Sequence, residues 1–306
     1  MKRSFGYKIM FMSAMAVFGT IGLFVKSVGV SSGELALYRA LMAMVLIGGF
    51  MLCTRQRIVF REIREQLPLL LLSGAAMGFN WILLFEAYKY TAVSVATLSY
   101  YFAPIIVTVV SPLIFKEKMG ARQWVCFGMS TLGIVLITGI GDLSAGSNHL
   151  LGIGFALGAA VLYACVMLLN KGTKGVEGIQ RTFLQFIAAI AVLIPYVALT
   201  GGVSLSGLNG VGWACLLVVG IVHTGVTYCL YFTSMKELPG QEVALLSYID
   251  PLVAVLCSVL ILREAMSLPQ AIGGALILGF TLYNELAPKK EKKEKAEKES
   301  AAEEAR

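Results

Sequence analysis

Asp250 stands in "LLSYIDPLVAVL", a stretch with no other charge, directly before Pro251. A carboxylate in such company must be paired, protonated or hydrated, because an isolated ion is too costly to bury. It can bind a cationic ligand or pass a proton; the bland alternatives are that it caps backbone groups freed by the proline or pairs with Arg39. His223, in "VVGIVHTGVTYCLYF", is a second candidate, since imidazole changes charge near neutral pH. Glu86, in "LLFEAYKYT", either pairs with Lys89 one turn on or guards the outer part of a pathway. Its face also carries Ala75, Phe79 and Ile82, with Gly78 nearby, and Arg39 is its other conceivable partner.

Helical spacing of about 100° per residue sorts the hydroxyl groups around these three into stripes. His223, Thr227, Tyr231 and Ser234 share one with Gly220; Ser94, Thr97, Tyr101 and Thr108 share another. Ser13, Thr20 and Ser27 form a third, and Tyr163 with Asn170 a fourth. Such stripes are either hydrogen-bonding glue between helices or the wall of a shared wet cavity. The expected substrate-binding set is therefore Asp250, His223, Glu86, Tyr101, Thr97, Thr227, Tyr231, Tyr163 and Asn170. Pro104 and Pro251 each leave a backbone carbonyl without its usual donor, which supplies a gating kink or a ligand at the cavity.

The elements that must position these residues are set by the solvent. The 306 residues are 58% hydrophobic with mean hydropathy +0.79, far above an ordinary globular domain. Apolar runs long enough to cross a hydrocarbon core of roughly 30 Å recur along the chain. They read as ten spans: 7–28, 33–53, 68–89, 92–115, 122–140, 150–171, 180–200, 210–235, 242–262 and 268–286. The joint at 89–92 is tight enough that nine is the alternative count. The N-terminal "MKRSFGYKIMFMSAMA" offers a signal-peptide-like site at Ala14 and Ala16, but its apolar run continues, so an uncleaved first helix is expected.

The net charge of +7 orients the chain and does not indicate nucleic acid. With the N-terminus inside, 21 of the 25 cations fall on cytoplasmic segments; Lys26, Arg39, Lys89 and Arg263 are the other four. This positive-inside bias places both termini in the cytoplasm. All six cysteines lie within spans without CxxC spacing, so neither disulfide nor metal site is expected, and no cofactor. Residues 288–306 form a solvated charged tail.

The chain also repeats itself. At an offset of 147 without gaps, Phe85 meets Phe232, Lys89 meets Lys236, Leu98 meets Leu245, Tyr101 meets Tyr248 and Pro104 meets Pro251. Leu113, Ile114, Glu117, Met119 and Gln123 then meet Leu260, Ile261, Glu264, Met266 and Gln270. The first span matches the sixth at offset 145, setting Lys26 over Lys171. Five spans per half is an odd number, so the second copy must be inverted, a construction that puts transporter sites near the midplane between halves. The expected units are residues 1–145 and 146–287, each a five-helix repeat of an all-α polytopic membrane protein.

"YKYTAVSVATLSYYFAPIIVTVVSPLIFKEKMGARQ" and "LPGQEVALLSYIDPLVAVLCSVLILREAMSLPQAIGG" resemble EamA-type members of the drug/metabolite transporter superfamily. The resembling pattern is a mid-helix Pro, then an acid with a Gln six residues later: Pro104, Glu117, Gln123 and Pro251, Glu264, Gln270. Phe18-Gly19 stands where many relatives have Trp-Gly, and Cys126 replaces the Gly that follows the first Gln. The first span lacks the proton-handling Glu of the small multidrug relatives, so their coupling mechanism does not carry over.

Together these readings imply a secondary carrier in the cytoplasmic membrane with no nucleotide-binding motif. Acids and aromatic faces both attract ammonium groups, so an amino acid or related amine is the expected cargo. Export is what the resemblance implies; protons are the candidate coupling ion on separate grounds, and a homodimer is an open assembly state. The rival readings are uptake or facilitated diffusion of a quaternary amine such as choline, and, in another class, an intramembrane enzyme. Against the enzyme, the chain has no HExxH, no close carboxylate pair and no Ser/His/Asp set on facing spans.

Overall fold

The computed structural model describes residues 2–56, 63–115, 120–138, 147–173, 176 and 178–286. Glu117, Met119, the end of the expected fifth span and the charged tail lie outside the described residues. The first half contains α1 (Lys2–Gly19), α2 (Ile21–Val25), α3 (Ser32–Cys53), α4 (Leu67–Tyr90), α5 (Val93–Tyr100), α6 (Ala103–Phe115) and α7 (Ala121–Thr138). The second contains α8 (Ser147–Gly172), α9 (Gly178–Thr200), α10 (Gly210–Leu217), α11 (Thr227–Met235), α12 (Gly240–Ser247), α13 (Ile249–Leu256) and α14 (Leu268–Leu286). π-helical segments Val218–Val226 and Cys257–Ile261 follow α10 and α13.

Among the described residues the fold is all helix, as a chain in hydrocarbon must be when every backbone donor needs a partner within its own segment. Seven helical stretches are long and apolar enough to cross a membrane, from Phe5–Val25 to Gly210–Met235. Ala121–Ile137 and Leu245–Ile261 are shorter apolar helices, and α14 spans 19 residues. The joint at Thr91 and Ala92 is a true break: both residues are extended, so α4 and α5 are separate helices.

Polar side chains fix the helix ends. Ser31 and Glu34 form a capping box at the start of α3, and Glu34 also accepts from the backbone N–H of Ser204 at 2.6 Å, tying α3 to the loop after α9. The two glutamines of the family-like pattern do the same job twice. Gln123 accepts from the Gly120 N–H at 2.7 Å and Gln270 from the Ser267 N–H at 2.9 Å, anchoring α7 and α14.

The main packing runs between halves. α4 packs against α8 and α9, α3 against α9 and the Val218–Val226 segment, α1 against α11 and α13, α5 against α8 and α13, and α7 against α14. Gly74 and Gly78 lie against Gln185, Ala188 and Ala189 of α9, whereas Gly154 meets no neighbouring helix closely. The largest buried cluster, including Trp81, Phe85, Tyr88, Phe186 and Ala40, therefore lies on the seam between the halves.

Candidate functional site

The expected fourth and ninth spans are each interrupted, at places related by the sequence repeat. α5 stops at Tyr100, Tyr101 and Phe102 form a turn, and Pro104 sits in the first turn of α6. α12 stops at Ser247, Tyr248 forms the turn, and Pro251 sits in the first turn of α13. A proline costs no intrahelical hydrogen bond in the first turn of a helix, where its missing N–H would have no partner, and both helices restart there. At these breaks Tyr101 donates its hydroxyl to Asp250 Oδ2 at 2.7 Å, and the rings of Tyr101 and Tyr248 are 6.5 Å apart. Gly19, just before the α1–α2 break, lies so close to the Asp250 carbonyl oxygen that a Cβ there would collide with it.

Asp250 is only partly buried, and Arg39 is not its partner. Arg39 is 5% exposed, with its guanidinium carbon 4.5 Å from the centre of the Trp81 ring and 5.2 Å from that of Phe85. Its Nε donates to Thr224 Oγ1 at 3.1 Å, and Thr224 donates in turn to the Val219 carbonyl at 2.8 Å. Among the described residues no carboxylate lies within ion-pairing distance of it. Desolvated cation–π contacts contribute about 2 kcal/mol, while burying an ion costs several. The guanidinium is thus left under-compensated by the protein.

Tyr100 stacks on Tyr163 with centroids 5.3 Å apart, and its hydroxyl donates to Asn80 at 3.4 Å. Tyr163 itself is 38% exposed.

The other expected site residues are used differently. His223 is buried against α1 and α2: its Nε2 is 2.9 Å from Thr20 Oγ1, its ring is 5.0 Å from Phe24, and its Nδ1 faces the Val218 carbonyl at 3.2 Å. Thr227 donates to the Val222 carbonyl at 2.7 Å, five residues back, and Tyr231 packs on Phe11 and Phe18. The stripe from His223 to Ser234 is thus largely a seam against the first span. Thr97 meets the Tyr88 hydroxyl at 3.3 Å. Asn170 accepts from Gln185 at 2.8 Å, and Gln185 also donates to Ser73, so this trio links α4, α8 and α9.

Glu86 is not paired with Arg39 either. One oxygen, Oε2, accepts from both Ser32 at 2.6 Å and Lys89 at 2.9 Å. Beside it opens a cavity of about 260 Å³, with Lys26, Ser32 and Lys89 among its lining and Phe85 and Tyr88 also facing it. Lys26 is ion-paired with Glu264, which also accepts from the Ser258 hydroxyl and, at 2.8 Å, from the Val93 N–H at the start of α5. The repeat offsets carry Ser258 onto Ser111 and Lys26 onto Lys171, and Lys171 donates to Ser111 at 2.7 Å.

Arg39 as a site residue, Asn80, Tyr88 and Tyr100 escape a reading for acids and hydroxyl stripes. The available signal is Trp81, Phe85 and Tyr88 at i, i+4 and i+7, one aromatic helix face that needs a partner, and Arg39 is the buried cation that meets it.

The chain matches known proteins along most of its length. The EamA-like transporter family matches residues 6–139 and again 150–284. The uncharacterized transporter YxxF of Bacillus subtilis (strain 168) is 30% identical over 266 residues, 86% of this chain and 84% of its own. An uncharacterized transporter of Archaeoglobus fulgidus is 28% identical over 86% of this chain and 90% of its own, and protein RarD of Streptomyces exfoliatus 25% over 80% and 76%. A solved crystal structure superposes with a TM-score of 0.63 over 90% of this chain and 96% of that one; at 18% identity the likeness is of fold alone. The matched breaks, the family match in both halves and these relatives agree: the chain belongs to the EamA-like transporter family.

Proposed function

We propose that this chain is a secondary active transporter that exports a small amine-bearing metabolite, an amino acid or close relative, across the cytoplasmic membrane by alternating access. The observation that carries this reading is the Tyr101–Asp250 bond, which sets an acid between two interrupted spans from opposite halves. Interrupted helices free backbone groups and permit local rearrangement at membrane depth, the usual setting of a transporter site.

In this reading the chain has ten spans in two inverted repeats, with both termini cytoplasmic and the boundary near residue 145. The helix pairings support it. Exchanging the first five spans with the second five turns α4–α8 into α11–α1, α4–α9 into the contact of α3 with the Val218–Val226 segment, and α1–α13 into α8–α6. The loops assigned to the outside are also joined to one another, by Lys26–Glu264, Glu34–Ser204 and Thr91–His149 at 2.8 Å. Lys26–Glu264 then closes the outer end and Lys171–Ser111 is its inner counterpart, so releasing one while the other holds exposes the site to one side.

The test is reconstitution of the purified chain into vesicles with an imposed proton or solute gradient. Gradient-dependent flux of amino acids or amines is expected. Product formation without flux would favour an intramembrane enzyme, and neither flux nor chemistry would overturn the transport reading.

A further inference from the structure

The cavity beside Glu86 stands apart from the Tyr101–Asp250 contact, since neither of those residues is part of its lining. Two cations are, Lys26 and Lys89, and no carboxylate is. Both lysines are exposed, whereas Leu35, Phe85 and Tyr88 of the same lining are buried, at 2%, 1% and 4% exposure. The cavity thus has a cationic rim and an apolar, partly aromatic floor. Its volume of about 260 Å³ falls just below the roughly 300–1,000 Å³ of small-molecule pockets. It suits a small ligand or one end of a longer one.

Each lysine already has a counter-ion, Lys26 in Glu264 and Lys89 in Glu86. Three features leave both able to take another. An ammonium group carries three donors, and each of these two uses one of them on its carboxylate. Partly exposed ion pairs add little net stability, and lysine stems turn easily. The carboxylates also keep other partners when a lysine turns away: Glu86 holds the Ser32 hydroxyl, and Glu264 holds the Ser258 hydroxyl and the Val93 N–H. An anion entering the cavity therefore gains two cations without stranding an acid. An ammonium ligand would meet two like charges before it reached the faces of Phe85 and Tyr88.

We propose that this cavity is a binding site for an organic anion, with its acidic head at Lys26 and Lys89 and its apolar body on Leu35, Phe85 and Tyr88. A soluble aryl or branched-chain acid and an anionic lipid share that chemistry. The proposal does not rest on the transport reading, and its test measures binding.

The full chain in phosphatidylcholine nanodiscs is titrated with para-fluorobenzoate, followed by fluorine NMR. The same titration is run with para-fluorobenzamide and para-fluorobenzylamine, which keep the ring and change the charge. The acid is expected to bind at least about tenfold more tightly than either, and acetate, which lacks the ring, to compete at least about tenfold less well. Lys26→Gln and Lys89→Gln should each weaken the acid by about tenfold, whereas Lys26→Arg and Lys89→Arg should retain it. Glu86→Gln frees Lys89 and should tighten the acid. Val28→Trp fills the cavity without altering a charge and should abolish binding. Native mass spectrometry after exposure to phosphatidylglycerol separates the two sources. Lipid retained by wild type and lost from the Lys26→Gln/Lys89→Gln protein assigns the site to a lipid headgroup; acid binding without lipid retention assigns it to a soluble acid. If the lysine variants fail size exclusion, Val28→Trp and the ligand series on wild type still decide. An amide or amine that binds as tightly as the acid, acid and lipid binding unchanged in the double variant, or neither anion bound by wild type would overturn the proposal.

Discussion

Tyr101 gives its hydroxyl hydrogen to Asp250 at 2.7 Å, joining the turn between α5 and α6 to the start of α13. A rearrangement that separates these helices must stretch or exchange this bond.

The first prediction follows. Hydrogen bonds to charged groups are worth about 1.5–3 kcal/mol, so Tyr101→Phe should slow flux by about tenfold or more. Asp250→Asn should lower flux and change its pH profile across about pH 5–8. Because the two residues share one bond, the double variant should be no worse than Asp250→Asn alone. Normal flux and an unchanged profile in Asp250→Asn would return Asp250 to a structural role.

Glu86 is a milder case. Its partners Ser32 and Lys89 sit on one oxygen, and the Lys89 pair is partly exposed, so its removal should cost within about 1 kcal/mol of stability. Glu86→Gln should leave the melting temperature nearly in place and raise the half-saturation for substrate offered from the side of the Lys26–Lys89 cavity. Wild-type kinetics from both sides would make Glu86 a helix-end anchor only.

Glu264 caps α5 from 171 residues away, because Ala92 at that helix start has no side chain able to do so. Glu264→Ala should cost about 0.5–2 kcal/mol, the range for loss of a cap, measurable as a lower melting temperature. It should also free Lys26 and open that end, so a cysteine placed at Ser32 would react faster with an impermeant maleimide. Unchanged labelling would leave Glu264 a cap without a gating role.

The orientation is testable in a background lacking the native cysteines. Val203→Cys should label from outside the cell, and Thr54→Cys and Glu237→Cys only after permeabilisation. The reverse pattern would defeat the inverted arrangement.

Much of this was legible before any coordinates. Apolar runs of this length mark helices because a helix satisfies its backbone within one continuous segment in hydrocarbon, and the shared Tyr and Pro at an offset of 147 mark both breaks. The partners were not legible. Arg39 and Thr224 are 185 residues apart, and nothing local in either names the other. Ser111 and Ser258 are identical at the same offset, but a serine in an apolar span draws no notice until Lys171 and Glu264 are seen beside them. The stripe through Thr227 assumed one pitch throughout, and the π-helical segment changes it.

That segment, Val218–Val226, has a consequence for the length of the chain. Removing one residue from an ordinary span turns everything beyond it by about 100°. A π turn carries a residue in excess of the α pattern, so here a single deletion can relax to regular helix and keep α10 and α11 in register with their neighbours. What it would erase is the displacement that lets Thr224 meet Arg39 and His223 meet Thr20. The eighth span can thus be shortened without being broken, and its contacts at Arg39 behave as the property of one inserted residue.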